Sequence, residues 1–136
     1  MKVLEFLQKA KVFYAATTDG EGGRVRPIGF VMDYEGKLAF YTDTRKEMYK
    51  QLSDHPKMEI CAVDEKMNTL RLKGEAKFIT SKESKRAALE ALPMLKKAGY
   101  TEDDDVFEIY TIDNATVSLK TCLLYTSDAA DDCCRV

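Results

Sequence analysis

The sequence predicts a mainly β fold with inserted helices (α+β), an antiparallel barrel of six to seven strands decorated by short helices. Two observations carry this expectation. Short runs rich in β-branched and aromatic residues follow one another at hairpin spacing, punctuated by turn clusters such as DGEGG (residues 19–23) and YEGK (34–37). The helical stretches between them are few and short, so the chain lacks the regular βαβα alternation of a doubly wound sheet.

Taken in order, VLEFLQKA (3–10) places Val3, Leu4, Phe6, Leu7 and Ala10 at helical spacing. KVFYAATTD (11–19) reads as a strand that turns through DGEGG into a second strand, RVRPIGFVMD (24–33). Pro27 and Gly29 demote that second strand toward an edge or a bulge, because proline cannot donate to a ladder and glycine weakens one. LAFYT (38–42) is a third strand. Residues 44–54, TRKEMYKQLSD, carry Met48, Tyr49 and Leu52 on one helical stripe, with Asp43 or Thr44 as N-cap and His55-Pro56 as the stop. MEICAV (58–63) and TLRLKGEAKFIT (69–80) are two more strands, the second with a bulge at Gly74. SKESKRAALEALPMLKKAG (81–99) reads as a helix capped by Ser81 and broken by Pro93. After the charged turn EDDD (102–105), VFEIYTI (106–112) and ATVSLK (115–120) form a final hairpin across Asp113-Asn114.

At 136 residues one domain is expected, long enough to bury a core without disulfides or metals. With 45% apolar and 32% charged residues the composition is that of an ordinary globular protein. A formal net charge of -2 and the lack of a basic stripe argue against a nucleic-acid partner. The apolar runs are too short to span a bilayer and residues 1–10 do not resemble a signal peptide, so no membrane partner and a cytoplasmic location are expected. Cys61, within EICAV, reads as a buried core thiol; Cys122, Cys133 and Cys134 lack metal-ligand spacing.

Candidate chemistry begins with what the sequence lacks. Its one histidine, His55, sits beside a proline after a helix, where a cation terminates a helix more often than it catalyses. No nucleophile elbow, zinc-binding, P-loop or dinucleotide motif is present, and DGEGG lies between strands and not before a helix. Cys61 has no evident base. No catalytic residue and no metal ligand is therefore assigned, and any enzymatic reactivity is expected from a cofactor.

A set of basic residues remains. Arg24 and Arg26 flank Val25 and share one face of their strand; Arg45 and Lys46 open a helical stretch, with the hydroxyls of Thr42 and Thr44 nearby. Two cations at a helix start oppose the helix dipole. Either they form a solvated face or they share an anion such as a phosphate monoester with the helix N–H groups. Arg71 and Lys73 share a face of the long strand and by spacing alone read as exposed.

Ordered along the chain, RPIGFVMDYEGKLAFYTDTRKEMYKQLSDHPKMEICAV followed by TLRLKGEAKF resembles the FMN-binding split barrel of the pyridoxamine 5′-phosphate oxidase superfamily, in particular its short single-domain bacterial members. The likeness covers residues 10–80 and, more loosely, the chain to Lys120. It implies that Arg26, Pro27, Ile28, Gly29, Phe30 and Val31 lie along the flavin, followed by Tyr41 and Thr42. It further implies that Arg45 and Lys46 grip the FMN phosphate, and that Thr69, Leu70 or Arg71 approaches the flavin. The family places its flavin at a dimer interface, which implies a homodimer acting on a small-molecule substrate or electron donor. The implied function is that of an FMN-dependent oxidoreductase of unassigned substrate; the other reading is a non-catalytic flavin, haem or deazaflavin binding or sensor module. Val31 stands where the family carries a lysine, and the chain has no Trp and no second His, so pyridoxamine-phosphate oxidation itself is not expected.

CLLYTSDAAD (122–131) resembles the in-frame translation of a transposase-type sequencing adapter. The expected organisation is thus one FMN-binding split-barrel domain over residues 1–120 and a non-native tail over 121–136, in which Leu123, Leu124 and Tyr125 still suit a strand.

Overall fold

The computed structural model describes residues 2–121. The expectations for Cys122, Cys133 and Cys134, and for a strand at Leu123, Leu124 and Tyr125, lie outside the described residues.

The chain opens with helix α1 (Lys2–Ala10) and continues through strands β1 (Phe13–Thr18), β2 (Gly23–Ile28), β3 (Met32–Tyr34) and β4 (Lys37–Asp43). Helix α2 (Glu47–Asp54) leads to β5 (Lys57–Val63) and β6 (Thr69–Phe78). Helices α3 (Lys82–Ala91) and α4 (Met94–Lys97) precede the long β7 (Phe107–Lys120). The seven strands form one antiparallel sheet in the order β2-β1-β5-β6-β7-β4-β3. The sheet curls but stays open, because its edge strands β2 and β3 do not pair with each other. This is the antiparallel barrel that the residues predicted, split as the family resemblance implied.

Alternation explains the curl. In β1 the buried positions are Phe13, Ala15 and Thr17, with Tyr14 turned outward. Phe13 and Ala15 join Phe40, Ile60, Leu70, Leu72 and Tyr110 inside the barrel, and Leu7 of α1 with Met48 and Leu52 of α2 also packs into this cluster. A second cluster covers the opposite face, where Ala88, Leu89 and Leu95 of α3 and α4 pack on Ala39, Phe107 and Ile109. No helix among the described residues is long and apolar enough to cross a membrane.

Several element boundaries are as predicted, each for a visible reason. Ser81 caps α3 in a reciprocal capping box with Ser84. Pro93 separates α3 from α4. The bulge falls at Gly74, where the register shifts and Asn114 and Ala115 oppose one residue. A Cβ at Gly74 would lie 2.5 Å from the Asp113 carbonyl oxygen, so only glycine lets the two backbones meet.

Four local expectations need correction. Residues 24–33 are not one strand: β2 ends at Ile28 against β1, and β3 pairs with β4 instead. Residues 107–120 form one bulged strand, not a hairpin across Asp113-Asn114; Asn114 takes up the extra residue at a φ of 53°. The helix expected from residue 44 begins at Glu47, and its N-cap is Lys46, not Asp43 or Thr44. Asp43 is engaged elsewhere: its carboxylate accepts the Arg45 backbone N–H and its carbonyl accepts that of Lys46, making a turn that delays the helix. Finally, Cys61 is half-buried and faces outward between Tyr14 and Arg71.

Candidate anion and cofactor cavity

The split between β2 and β3 is crossed by Gly29, Phe30 and Val31, which belong to neither strand. Phe30 turns to the helix-covered cluster and Val31 to the barrel interior. Gly29 passes so close to α1's end that a Cβ would lie 3.2 Å from the Lys11 carbonyl oxygen. Beside this crossover lies a cavity of about 570 Å³ lined by Arg26 to Phe30, by Tyr41, Thr42 and Lys46 to Met48, and by Leu92 and Met94. That volume lies within the roughly 300–1,000 Å³ typical of ligand pockets.

Eight of the residues singled out from the sequence therefore meet in one place: Arg26, Pro27, Ile28, Gly29, Phe30, Tyr41, Thr42 and Lys46. Five do not line it. Val31 is buried in the core. Thr69, Leu70 and Arg71 start β6, with Leu70 inside the barrel and Arg71 exposed on the outer sheet face. Arg45 is turned away and paired with Asp43.

The floor of the cavity is cationic. Arg26 lies opposite Ala15, whose side chain is interior, so the guanidinium enters the barrel mouth. There Nη1 donates to Thr17 Oγ1 at 2.9 Å and Ala15 O at 3.2 Å, and Nη2 donates to Gln51 Oε1 at 2.8 Å. All of these acceptors are neutral. Burial lowers the Arg26 pKa from its ordinary value, yet guanidinium stays protonated in proteins. Lys46 lies over the Tyr41 ring, 5.6 Å from its centroid. Among the described residues neither cation pairs with a carboxylate. Glu47 also lines the cavity and, like Lys46, is exposed, while Arg26 is the enclosed charge, so the cavity keeps a net positive charge.

Two further features favour an anion. Thr42 is 1% exposed, lines the cavity, and its Oγ1 has no hydrogen-bond partner among the described residues. A buried hydroxyl left unpaired is costly, about 1–3 kcal/mol, unless a ligand or water completes it. The first turn of α2 also has no side-chain cap, and its leading residues, Glu47 and Met48, line the cavity. Above this polar floor the lining is apolar: Pro27, Ile28, Phe30, Met48, Leu92 and Met94. Such a site accepts a ligand with one anionic end and one planar or apolar end.

Arg45 serves a neighbouring but separate arrangement. Its Nε donates to Asp43 Oδ1 at 2.9 Å and its Nη2 bonds Oδ2, a two-pronged pair. Tyr100 donates to Asp43 Oδ2 at 2.8 Å. The Arg45 guanidinium holds the Asp43 carboxyl far below the usual carboxylate range, against the opposing effect of burial. Burial and this bond push the Tyr100 phenol up to about 12. Tyr100 stacks on Phe107 and meets Tyr41 edge-on, so the pair braces the wall that Tyr41 presents to the cavity.

Sequence reasoning missed Thr17 and Gln51, which hold Arg26, and Met48, Leu92 and Met94, which line the cavity. A signal for the first two was present: Thr17 follows Phe13 and Ala15 at inward positions, and Gln51 shares the buried stripe of α2 with Met48 and Leu52. A polar residue at a core position implies a polar partner. His55 lies outside the cavity, beside Gly20 of the β1–β2 turn.

Comparison with known proteins shows the family. The model of the family described as pyridoxamine 5′-phosphate oxidase matches residues 1–116. A NimC/NimA family protein from Clostridium acetobutylicum superposes with a TM-score of 0.84 at 38% identity, over 88% of this chain and 86% of that one. A pyridoxamine 5′-phosphate oxidase-related, FMN-binding protein from Nostoc punctiforme gives a TM-score of 0.59 at 19% identity, over 85% and 81%. The haem storage protein HutZ from Vibrio cholerae gives 0.65 at 12% identity, over 88% and 94%. At such identities the last two share the fold alone. No curated protein matches significantly. The chain belongs to the pyridoxamine 5′-phosphate oxidase family.

Proposed function

We propose that the protein binds FMN in the cavity beside the β2–β3 crossover and works as a homodimeric flavoprotein, most simply an oxidoreductase. The observation that carries this reading is the meeting of Arg26, Lys46 and the unpartnered Thr42 hydroxyl beneath an apolar mouth. Arg26, Lys46, Thr42 and the first N–H groups of α2 would hold the phosphate. The unladdered backbone of Gly29 and Phe30 is free to meet the polar edge of a flavin ring, and Pro27, Phe30 and Tyr41 offer it apolar and aromatic surface. When bound, the flavin supplies hydride or electron transfer; the chain supplies binding, orientation and exclusion of water. One fold neighbour is named as a haem storage protein. The only histidine lies outside the cavity, so no imidazole is available there for a haem iron, which favours the phosphate-bearing ligand.

The outer face of the sheet supports the dimer. Pro27, Tyr14, Cys61 and Arg71 are successive cross-strand partners on it, and Val12, Tyr14, Val25 and Val63 are exposed there. Arg71 stands three strands from Pro27, roughly 14 Å at the ordinary strand spacing. Arg71 and Thr69 therefore serve the cavity of a second copy seated on this face more readily than their own.

The visible spectrum and size of the purified protein test both parts. A yellow dimer that releases FMN on denaturation is the expected result; a colourless protein that takes up no FMN contradicts it. Reduction of the bound flavin by NADH or NADPH separates an oxidoreductase from a non-catalytic binding module. Tyr14→Glu is expected to give monomers with weakened flavin binding, and a dimer that persists would move the interface elsewhere.

A further inference from the structure

We infer that Gln51 is a positioning residue that keeps the charge of Arg26 available to the ligand, by holding the guanidinium with a neutral oxygen where a carboxylate would neutralise it. The inference rests on the proposed phosphate site. Gln51 is 7% exposed and Thr17 4%, and together with Arg26 they close a small ring of hydrogen bonds. Thr17 Oγ1 donates to Gln51 Oε1 at 2.5 Å and accepts from Arg26 Nη1 at 2.9 Å, while Arg26 Nη2 donates to the same Oε1 at 2.8 Å. Arginine can only donate, so the Gln51 atom facing it is the amide oxygen, and the direction of every bond in the ring is fixed.

The ring has two consequences. It uses one Nη1 proton and one Nη2 proton, and the other Nη1 proton has Ala15 O and Arg24 O as acceptors. The Nε proton and the second Nη2 proton have no acceptor among the described residues, leaving one edge of the fork for two oxygens of an anion. It also leaves the positive charge uncompensated, since no member of the ring is anionic. Glutamate at position 51 would fit the same space and the same donors, and would bind Arg26 more strongly. It would therefore help the fold and harm the site, whereas a residue with a purely structural role moves both in one direction.

The test compares FMN with riboflavin, which lacks the phosphate, in wild-type protein and in Gln51→Glu, alongside thermal melting. We expect the wild type to prefer FMN. Gln51→Glu should melt no lower than wild type while its preference falls by on the order of tenfold, as an internal carboxylate displaces the external anion. Equal binding of FMN and riboflavin by the wild type overturns the phosphate reading itself. A wild-type preference that survives intact in Gln51→Glu overturns only the role of Gln51. Should Gln51→Glu not fold, Thr17→Ser and Thr17→Ala decide: serine is expected to keep the preference and alanine to reduce it, and equal behaviour of the two overturns the inference.

Discussion

Arg26 enters the mouth of the barrel from edge strand β2 and is held by the Ala15 carbonyl, the Thr17 hydroxyl and the Gln51 amide oxygen; Arg45 lies on the turn before α2 and grips the buried carboxylate of Asp43. The family resemblance implied that both belong to one flavin site. Their surroundings separate them. The Arg45 side chain is 70% exposed and its charge is matched by a carboxylate that is itself buried, so its main contribution is to a buried acid. Arg26 is more enclosed, pairs with no carboxylate among the described residues, and shares its cavity with a second cation and a hydroxyl without a partner there. The two arginines thus divide into one that completes the fold and one whose charge is left uncompensated, and the sign of the nearest acceptor makes the division.

The strongest challenge to this contrast removes both cavity cations. Arg26→Ala combined with Lys46→Ala eliminates two charge-assisted contacts of about 1.5–3 kcal/mol each. FMN affinity is expected to fall at least about a hundredfold in a fluorescence titration; affinity within a few-fold of wild type would place the phosphate elsewhere.

Asp43→Asn addresses the other arginine. Losing charged bonds from Arg45 and Tyr100 should cost about 2–3 kcal/mol in denaturant unfolding near neutral pH. The pH dependence has a definite sign. Native Asp43 titrates below its ordinary value of 3.8, so the native state binds fewer protons than the unfolded one. Its stabilisation is complete above the ordinary carboxylate range and is lost as pH falls through and below it. The gap between wild type and Asp43→Asn should therefore narrow in acid, and a gap that widens there would refute the assignment.

Arg45→Ala should have the smallest effect on the ligand. Its cost falls on stability, because the buried Asp43 carboxylate loses its charged partner. FMN affinity should fall less than in Arg26→Ala; the reverse order would mean that Arg45 leaves Asp43 for the phosphate.

Much of the fold was legible because local rules and tertiary structure agree. Gly74 at the bulge, Ser81 as a cap and Pro93 as a break each act within a few residues of themselves. The errors arose where distant groups decide. Asp43 looked like a helix cap, but Tyr100, far along the chain, and Arg45 hold its carboxylate, so the helix starts later. In RVRPIGFVMD, Pro27 and Gly29 read as an edge or a bulge, yet the two halves pair with strands on opposite sides of the split. The eight residues that meet in the cavity were legible from motif order. Arg45 does not line the cavity with that set, because spacing shows which charges are near but not which acceptors claim them.

The most direct measurement is an FMN titration of wild-type, Arg26→Gln and Arg45→Gln proteins, followed by flavin fluorescence, with riboflavin as the phosphate-free control. The account expects Arg26→Gln to weaken FMN by at least about tenfold and leave riboflavin nearly unchanged, as loss of one charge-assisted phosphate contact requires. It expects Arg45→Gln to stay close to wild type. Unchanged FMN affinity in Arg26→Gln would contradict the central claim that the uncompensated arginine at the barrel mouth binds the ligand's anionic end.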